Sequence, residues 1–325
     1  MIKIAMFDSK PYDTESFEEA KKENMKIKYF ETRLTEDTAH LAKGYDAVVV
    51  FVNDDVTKEV IEVLYSLGVK LIALRCAGFN NVDLKAAKDK IPVIRVPAYS
   101  PHAVAEHTIG MLLTSIRRIH RAYIRSKDFN FSLNGLTGFN LFGKTIGVIG
   151  TGKIGRVFMD ICRGFGMNVL AYDLYPDKSL DAQYVTLEEL FKKSDIISLH
   201  CPLTKENYHM IDKKSIGMMK KGVVILNTSR GSLIDAEDLI DGIKDKKIGA
   251  ACLDVYEEES DVFFEDHSGR IVQDDVLARL ISLPNVLITS HQAFLTREAL
   301  GNIAETTVNG IDDYFRDGSL KTQVL

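Results

Sequence analysis

Long apolar runs, paired cysteines, an excess of basic charge and internal repeats are all missing from this chain of 325 residues, and each absence closes off a class of protein. The longest apolar stretches, such as 47–52, fall far short of the roughly 20 residues that a spanning helix needs, so no membrane helix is expected. Cys76, Cys162, Cys201 and Cys252 are scattered without a CxxC pair, a pattern of reduced, mostly buried thiols that excludes a disulfide framework or a zinc site. No metal is expected. With 41 basic residues against 46 acidic ones and a net charge of -5, no overall positive field draws the chain to phosphate backbones or anionic membranes, and nucleic acid is not an expected partner. Lys3, Asp8 and Lys10 interrupt the start of the chain, which lacks the apolar core of a secretory signal, so a cytoplasmic location is expected. No repeat of 20 to 50 residues and no low-complexity segment is evident.

What is present is an ordinary globular composition, 46% hydrophobic and 27% charged, enough apolar side chain for sizeable cores. At roughly 150 residues per domain the length suggests about two domains. Short β-branched runs alternate with stretches whose apolar positions recur three or four apart, the signature of parallel strands and covering helices. The class is α/β. Residues 2–7, 27–30, 47–52, 71–74 and 93–96 read as strands, with helical patterns at 16–23 and 57–67. Ser100-Pro101 then supplies an N-cap residue and a first-turn proline for one long helix from Val104 to about Arg125, which looks like a bridge between domains. A second series follows, with strands at 145–149, 168–172, 196–199, 223–227, 250–255 and 286–288. The basic cluster Arg117, Arg118, His120, Arg121 and Arg125 reads as a solvated or subunit-facing surface rather than an anion site.

The strongest local signal is Gly150-Thr151-Gly152-Lys153-Ile154-Gly155, which follows the strand at 145–149 and opens a helical stretch to about Phe165. Gly150 permits a tight turn, Gly152 lets a pyrophosphate approach backbone N–H groups, and Gly155 lets helix and strand pack closely. The next strand ends at Asp173, where a carboxylate can accept hydrogen bonds from a ribose and repel a 2′-phosphate. NAD is favoured over NADP. Because a complete α/β unit precedes this fingerprint, the cofactor domain is inserted in mid-chain, and the last segment returns to the first domain. The expected layout is a substrate/catalytic domain of 1–99 and 297–325 and an NAD-binding domain of 100–296, with the substrate between them.

A nicotinamide carries hydride chemistry, so the protein has to supply substrate positioning and a proton. An arginine can grip a carboxylate through two parallel hydrogen bonds, a histidine can exchange a proton near neutral pH, and a carboxylate can orient that histidine. Candidates lie where strands end. Arg230 follows 223–227, Glu257, Glu258 and Glu259 follow 250–255, and His291 follows 286–288. Spacing does not choose among the three glutamates, and His200, which also ends a strand, competes with His291.

Gly150 to Gly155, Ser198-Leu199-His200-Cys201-Pro202-Leu203-Thr204, Asn227-Thr228-Ser229-Arg230-Gly231 and Leu253-Asp254-Val255-Tyr256-Glu257 together resemble the signatures of the D-isomer-specific 2-hydroxyacid dehydrogenases, over essentially the whole chain. Leu74 to Asp83, Val96 to Pro101 and His291 to Thr296 resemble more closely the fermentative D-lactate dehydrogenases of Gram-negative bacteria. The resemblance implies two doubly wound parallel-sheet domains, a Rossmann NAD-binding domain inserted into a flavodoxin-like substrate domain. It implies reversible reduction of pyruvate to D-lactate, with Arg230 as substrate clamp, His291 as acid/base and Glu259 as its supporting carboxylate. Its cofactor contacts fall on the glycine turn with Lys153 and Ile154, on Asp173, on Cys201, Pro202 and Asn207, and on Thr228, Ser229 and Asp254. Its substrate contacts fall on Ala77 and Gly78, with Tyr99 and Phe294 bounding the side-chain pocket beside Arg230. A homo-oligomer, dimer or tetramer, is implied as well. Gln292 and Cys201 depart from the commoner family pattern and bear on cofactor affinity and fine specificity. The other readings are a dehydrogenase for bulkier acids such as 2-ketoisocaproate, and an NADH-sensing binding module.

Overall fold

Aliphatic runs can form interior strands only when both sheet faces are covered, and helices between successive parallel strands provide that cover. The chain does this twice. The computed structural model describes residues 1–258, 263–264, 266–271 and 273–324, which fall into two compact units, Met1–Ser100 with Leu295–Leu325, and Pro101–Phe294.

The first unit runs β1 (Ile2–Met6), α1 (Pro11–Ala20), β2 (Met25–Tyr29), β3 (Ala47–Val50), α2 (Lys58–Ser66), β4 (Leu71–Leu74), α3 (Leu84–Ala87) and β5 (Val93–Arg95). Its five strands are parallel in the order β2-β1-β3-β4-β5. Every residue of the central strands β3 and β4 is buried. The order reverses between β1 and β3, the place where open sheets of this kind leave a crevice at their carboxyl ends.

The second unit begins with α4 (Pro101–Ile116) and α5 (Ile119–Lys127), then β6 (Thr145–Ile149), α6 (Lys153–Gly164), β7 (Asn168–Tyr172), β8 (Gln183–Tyr184), α7 (Leu187–Lys193) and β9 (Ile196–Leu199). It continues with α8 (Lys213–Met218), β10 (Val223–Asn227), α9 (Ala236–Lys244), β11 (Ile248–Leu253), α10 (Asp275–Ser282) and β12 (Val286–Ile288). Seven strands lie in the order β12-β11-β10-β9-β6-β7-β8, all parallel, with the reversal between β6 and β9. One core layer joins α4 and α6 to the sheet through Leu112, Phe158, Met159 and Val148. The other joins α8, α9 and α10 to it through Ile216, Leu239 and Leu280. The chain then returns to the first unit as α11 (Arg297–Asp317), which packs on α1 and β4. Asp312 on α11 accepts hydrogen bonds from Lys22 (2.9 Å) and Asn24 (3.0 Å). No helix among the described residues is long and apolar enough to cross a membrane.

Two elements differ from the sequence reading. The helix expected at 16–23 starts earlier, because Pro11 occupies its first turn and Asp13 accepts from the Lys10 amide at 2.9 Å. The single helix expected from Val104 to about Arg125 is two, broken where Arg118 takes a left-handed φ of 54°, and α4 packs on α6 within the second unit. The remaining strands lie within two residues of their expected limits, and the two-residue β8 was too short to read.

Candidate active site

The turn after β6 is built by three glycines doing different work. Gly150 has a φ of +97°, and a Cβ there would lie 2.6 Å from the His200 carbonyl carbon. A Cβ on Gly155 would lie 2.0 Å from the Gly150 carbonyl oxygen, so only glycine lets α6 sit this close to the strand. Gly152 has nothing within 4 Å of its Cβ position; it is the N-cap of α6, whose first amides have no intrahelical partners. Asp173, just past β7, closes the other side. Its Oδ2 accepts from the Thr151 amide (2.7 Å) and hydroxyl (2.9 Å), and its Oδ1 accepts from the Tyr175 amide (2.9 Å). Partial burial works against the charged form of Asp173, but these hydrogen bonds, the Thr151 amide foremost, hold its carboxyl below the ordinary range. An open glycine turn, a helix N-terminus and an ionised carboxylate are what a dinucleotide's pyrophosphate and ribose require, so the residues fit NAD.

The neighbouring strand ends carry hydroxyl and amide braces. Ser229 Oγ donates to the Cys201 carbonyl at 2.6 Å. Asn207 accepts from the Thr204 amide (2.7 Å) and donates to the Pro202 carbonyl (2.8 Å), fixing the turn after β9. Cys201 is pushed up to about 11 by burial and stays a thiol. His200, the rival of His291 in sequence, packs its ring 4.7 Å from Phe158 and pairs Nε2 with Ser198 Oγ at 2.8 Å. Burial drives its pKa down to about 3, which keeps it neutral as a packing residue.

Arg230 stands in the loop after β10. Asn227 shapes that loop from inside, accepting from the Ser229 amide (3.0 Å) and donating to the Arg230 carbonyl (2.9 Å). Among the described residues the Arg230 side chain makes one hydrogen bond, from Nη1 to the Ser229 carbonyl at 2.7 Å. Next to it, a Cβ on Gly231 would lie 2.0 Å from the Tyr256 carbonyl carbon. The arginine loop is thereby pressed against the chain that follows β11 and leads to the glutamates.

His291 stands in the loop after β12, with a left-handed φ of 52°. Asp254, wholly buried at the end of β11, holds this loop. Its carbonyl accepts from the His291 amide at 2.7 Å. Its carboxylate accepts from Thr289 Oγ1 (2.5 Å), the Gln292 amide (3.0 Å) and the Ala293 amide (2.8 Å). Burial penalises this carboxylate, yet the donors, with His107 the strongest, keep it below the usual carboxylate range. Phe264 lies with its ring 5.9 Å from the His291 ring. Glu257 accepts from Tyr208 and pairs with His209 Nε2, each at 2.9 Å, so it is committed to that cluster. Glu259 lies outside the described residues.

The family described as D-isomer specific 2-hydroxyacid dehydrogenase, NAD binding domain, matches residues 109–293 through its sequence model. The chain belongs to that family. This dehydrogenase is 55% identical to a 2-hydroxyacid dehydrogenase homolog of Haemophilus influenzae, over 95% of each chain. It is 53% identical to a D-lactate dehydrogenase of Escherichia coli, over 96% of each. The apo-structure of D-lactate dehydrogenase from Escherichia coli superposes with a TM-score of 0.92 over 100% of both chains, at 49% identity. The matched residues fall within the second unit.

Of the residues singled out in the sequence, the second unit brings the glycine turn to Asp173, Cys201 to Ser229, and Asp254 to the His291 loop. Phe294 ends that unit and is buried. Ala77, Gly78 and Tyr99 belong to the first unit. There the Ala77 carbonyl accepts from Arg95 Nη1 (2.7 Å) and the Gly78 carbonyl accepts from Cys76 Sγ (3.3 Å). Several braces escaped the sequence reading: His107, Asn227, Thr289, and Thr108, whose hydroxyl lies 2.9 Å from that of Thr228. Asn227 and Thr289 close their strands, where a polar residue after an apolar run is a usable signal. His107 and Thr108 lie inside a helix and carry no local mark. Among the described residues no group of His, Cys, Asp and Glu is arranged to hold a metal ion.

Proposed function

We propose that the protein reduces pyruvate to D-lactate with NADH, reversibly, and that Arg230, His291 and Glu259 carry the protein's part of the reaction. The observation that carries this reading is the adjacency of three strand ends in one sheet: β10 leads to Arg230, β11 to Asp254 and β12 to His291. The nicotinamide supplies the hydride when bound. Arg230 grips the substrate carboxylate through its planar fork, and protonated His291 gives its proton to the ketone oxygen as that oxygen gains charge. In the reverse direction neutral His291 takes the proton back. Glu259 orients the imidazole. Gly150, Gly152, Lys153, Ile154 and Gly155 cradle the pyrophosphate, Asp173 takes the ribose, and Cys201, Pro202, Asn207, Thr228, Ser229 and Asp254 line the remaining cofactor path.

In this reading the unit containing β1 to β5 is the substrate/catalytic domain, with Ala77, Gly78, Tyr99 and Phe294 bounding the acid, and the partner is a small 2-keto acid in the cytoplasm. The assembly is a homo-oligomer. Its support is a run of exposed apolar side chains between residues 119 and 142, among them Ile119, Tyr123, Ile124, Phe129, Phe131 and Phe142, since exposed apolar side chains grouped along one segment are a common mark of a subunit contact. Following NADH loss with pyruvate, 2-ketoisocaproate and hydroxypyruvate tests the activity. Pyruvate should turn over fastest, and a preference for 2-ketoisocaproate would replace this substrate with a bulkier one.

A further inference from the structure

Helix α4 contributes two consecutive polar side chains to the strand ends that carry the reacting residues. Thr108 Oγ1 donates to the Val104 carbonyl at 2.7 Å and lies 2.9 Å from Thr228 Oγ1, so Thr228 is the donor of that pair. His107 Nε2 lies 3.2 Å from Thr289 Oγ1 and 3.4 Å from Asp254 Oδ1. One side chain thus meets the loop after β10, and the other meets the pair that holds the loop after β12.

We propose that His107 is a positioning residue for the reaction: through Asp254 and Thr289 it fixes the loop that presents His291. The inference rests on the assignment of His291 as proton donor made above. Asp254 is wholly buried, and its carboxylate has to accept from two main-chain amides and the Thr289 hydroxyl at once. A buried carboxylate performs that service as an anion, which needs strong donors around it. His107 Nε2, from an element outside the loop, lies 3.4 Å from Oδ1 and donates to the Thr289 oxygen at 3.2 Å, so that the Thr289 proton is held toward Asp254. The His291 backbone is left-handed, a conformation that costs a non-glycine residue energy and persists only where its surroundings over-determine it. The bonds from His291, Gln292 and Ala293 to Asp254 are that determination, and His107 secures their acceptor.

The geometry separates this role from general packing. Arg230 and its carboxylate grip sit on a different loop, braced by Asn227 rather than by Asp254. Loss of the His107 N–H should therefore slow proton delivery and leave the hold on pyruvate intact. His107→Leu removes the donor at similar volume; His107→Gln keeps an N–H at the end of a side chain of comparable reach; Thr108→Val removes the neighbouring hydroxyl without touching Asp254.

The test uses the full chain and two readouts. In steady-state reduction of pyruvate, His107→Leu should lower kcat at least about tenfold with the pyruvate KM unchanged, and His107→Gln should recover most of the lost rate. In hydrogen exchange of the chain without cofactor, the amides of residues 291–293 should exchange at least about tenfold faster in His107→Leu, return toward wild type in His107→Gln, and stay slow in Thr108→Val. Unchanged exchange in His107→Leu, or equal acceleration in Thr108→Val, overturns the proposal. Exchange that follows the expected order while kcat holds steady leaves the loop contact standing and overturns His107 as a positioning residue for the reaction; the role of His291 itself is read separately from His291→Gln, in which a kcat at the wild-type value would remove His291 as proton donor. Should His107→Leu fail to fold, the wild-type and His107→Gln exchange rates decide alone: similar slow rates support the N–H as the operative group, and rapid exchange in His107→Gln overturns it.

Discussion

Asp54 in the first unit and Asp254 in the second are both buried at the carboxyl ends of parallel strands, yet they titrate in opposite directions. Among the described residues Asp54 accepts two hydrogen bonds in its carboxylate, from the Leu34 and Phe51 amides at 2.6 Å each. Burial outweighs those amides and the nearby Arg75, Asp8 adds its own charge, and the carboxyl is pushed up to about 7. Asp254 likewise accepts from two amides, those of Gln292 and Ala293, and has Thr289 and His107 in addition, and it lies below the ordinary range. The number and charge of the donors, more than depth, decide which side of neutrality a buried carboxylate takes. The strand ends around the two differ in the same sense. In the first unit the order reversal between β1 and β3 is filled by its own side chains: Arg75 lies 4.1 Å over the Phe51 ring, 3.1 Å from Asp13, and donates to the Asp8 carbonyl at 2.7 Å. In the second the corresponding reversal is an open glycine turn. A shared topology marks where a ligand can sit, and the side chains at the strand ends settle whether one does.

The harshest way to break the comparison is to remove Arg75, only 2% exposed. Arg75→Met leaves the buried Asp13 carboxylate without its guanidinium and the Asp8 carbonyl without its donor, which should cost about 3 to 5 kcal/mol of stability, read from urea unfolding. A loss well below 1 kcal/mol would show that the plug is held by packing and not by charge. The pH dependence of the two units comes next. The folded pKa of Asp54 lies above its unfolded value near 4, so the folded chain binds more protons between pH 4 and 7. The Asp54 contribution is thus fully present below about pH 4 and lost as pH rises to about 7, at up to about 1.4 kcal/mol per pH unit. Asp254 is depressed instead, so its contribution is present above about pH 4 and lost as pH falls through its folded pKa. Hydrogen exchange corrected for intrinsic rates should show β1, β3 and β4 loosening toward neutral pH and the amides of 292–293 loosening only in acid. Parallel trends in the two regions would undo the contrast.

The α/β class and the strand-helix order were legible because parallel interior strands are written as uninterrupted aliphatic runs, Ala47–Val50 and Leu71–Leu74 being fully buried examples. The glycine fingerprint and Asp173 were legible because a dinucleotide site is built locally, within one strand-turn-helix and the next strand. The break between α4 and α5 was not, since Arg118 continues an apparently helical pattern and only its φ ends it. Nor was the choice between His200 and His291. Both follow strands, and what sets their surroundings apart is a Phe158 ring and a Ser198 hydroxyl on one side and Asp254 on the other, contacts that depend on which strands become neighbours. The braces His107 and Thr108 belong to the same class: their partners Thr289 and Thr228 lie more than 100 residues away.

Two substitutions sharpen the comparison from the second unit. Arg230→Lys keeps the charge and loses the planar fork, while the strand-end arginine of the first unit, Arg75, is replaced only at the expense of the fold. Losing one charge-assisted hydrogen bond is worth about 1.5 to 3 kcal/mol, so the pyruvate KM should rise about 10- to 100-fold with thermal stability unchanged. If KM and kcat both stay at wild-type values, Arg230 does not hold the substrate.

Gly152→Ala should have the smallest effect and is the most discriminating. Gly152 has a φ of -67°, which alanine adopts without strain, and open space at its Cβ position, so the cost to folding should be confined to alanine's poorer fit at a helix N-cap, about 1 kcal/mol or less. The added methyl would nevertheless occupy the side of the turn where a pyrophosphate approaches the α6 amides, and NADH affinity should fall several-fold in a fluorescence titration. Gly155→Ala is the counterpart. Its methyl would meet the Gly150 carbonyl at 2.0 Å, so it should disturb the fold and the turn together. If Gly152→Ala binds NADH as tightly as wild type, the open side of the turn does not face the cofactor, and the contrast between a filled and an open strand end loses its functional meaning.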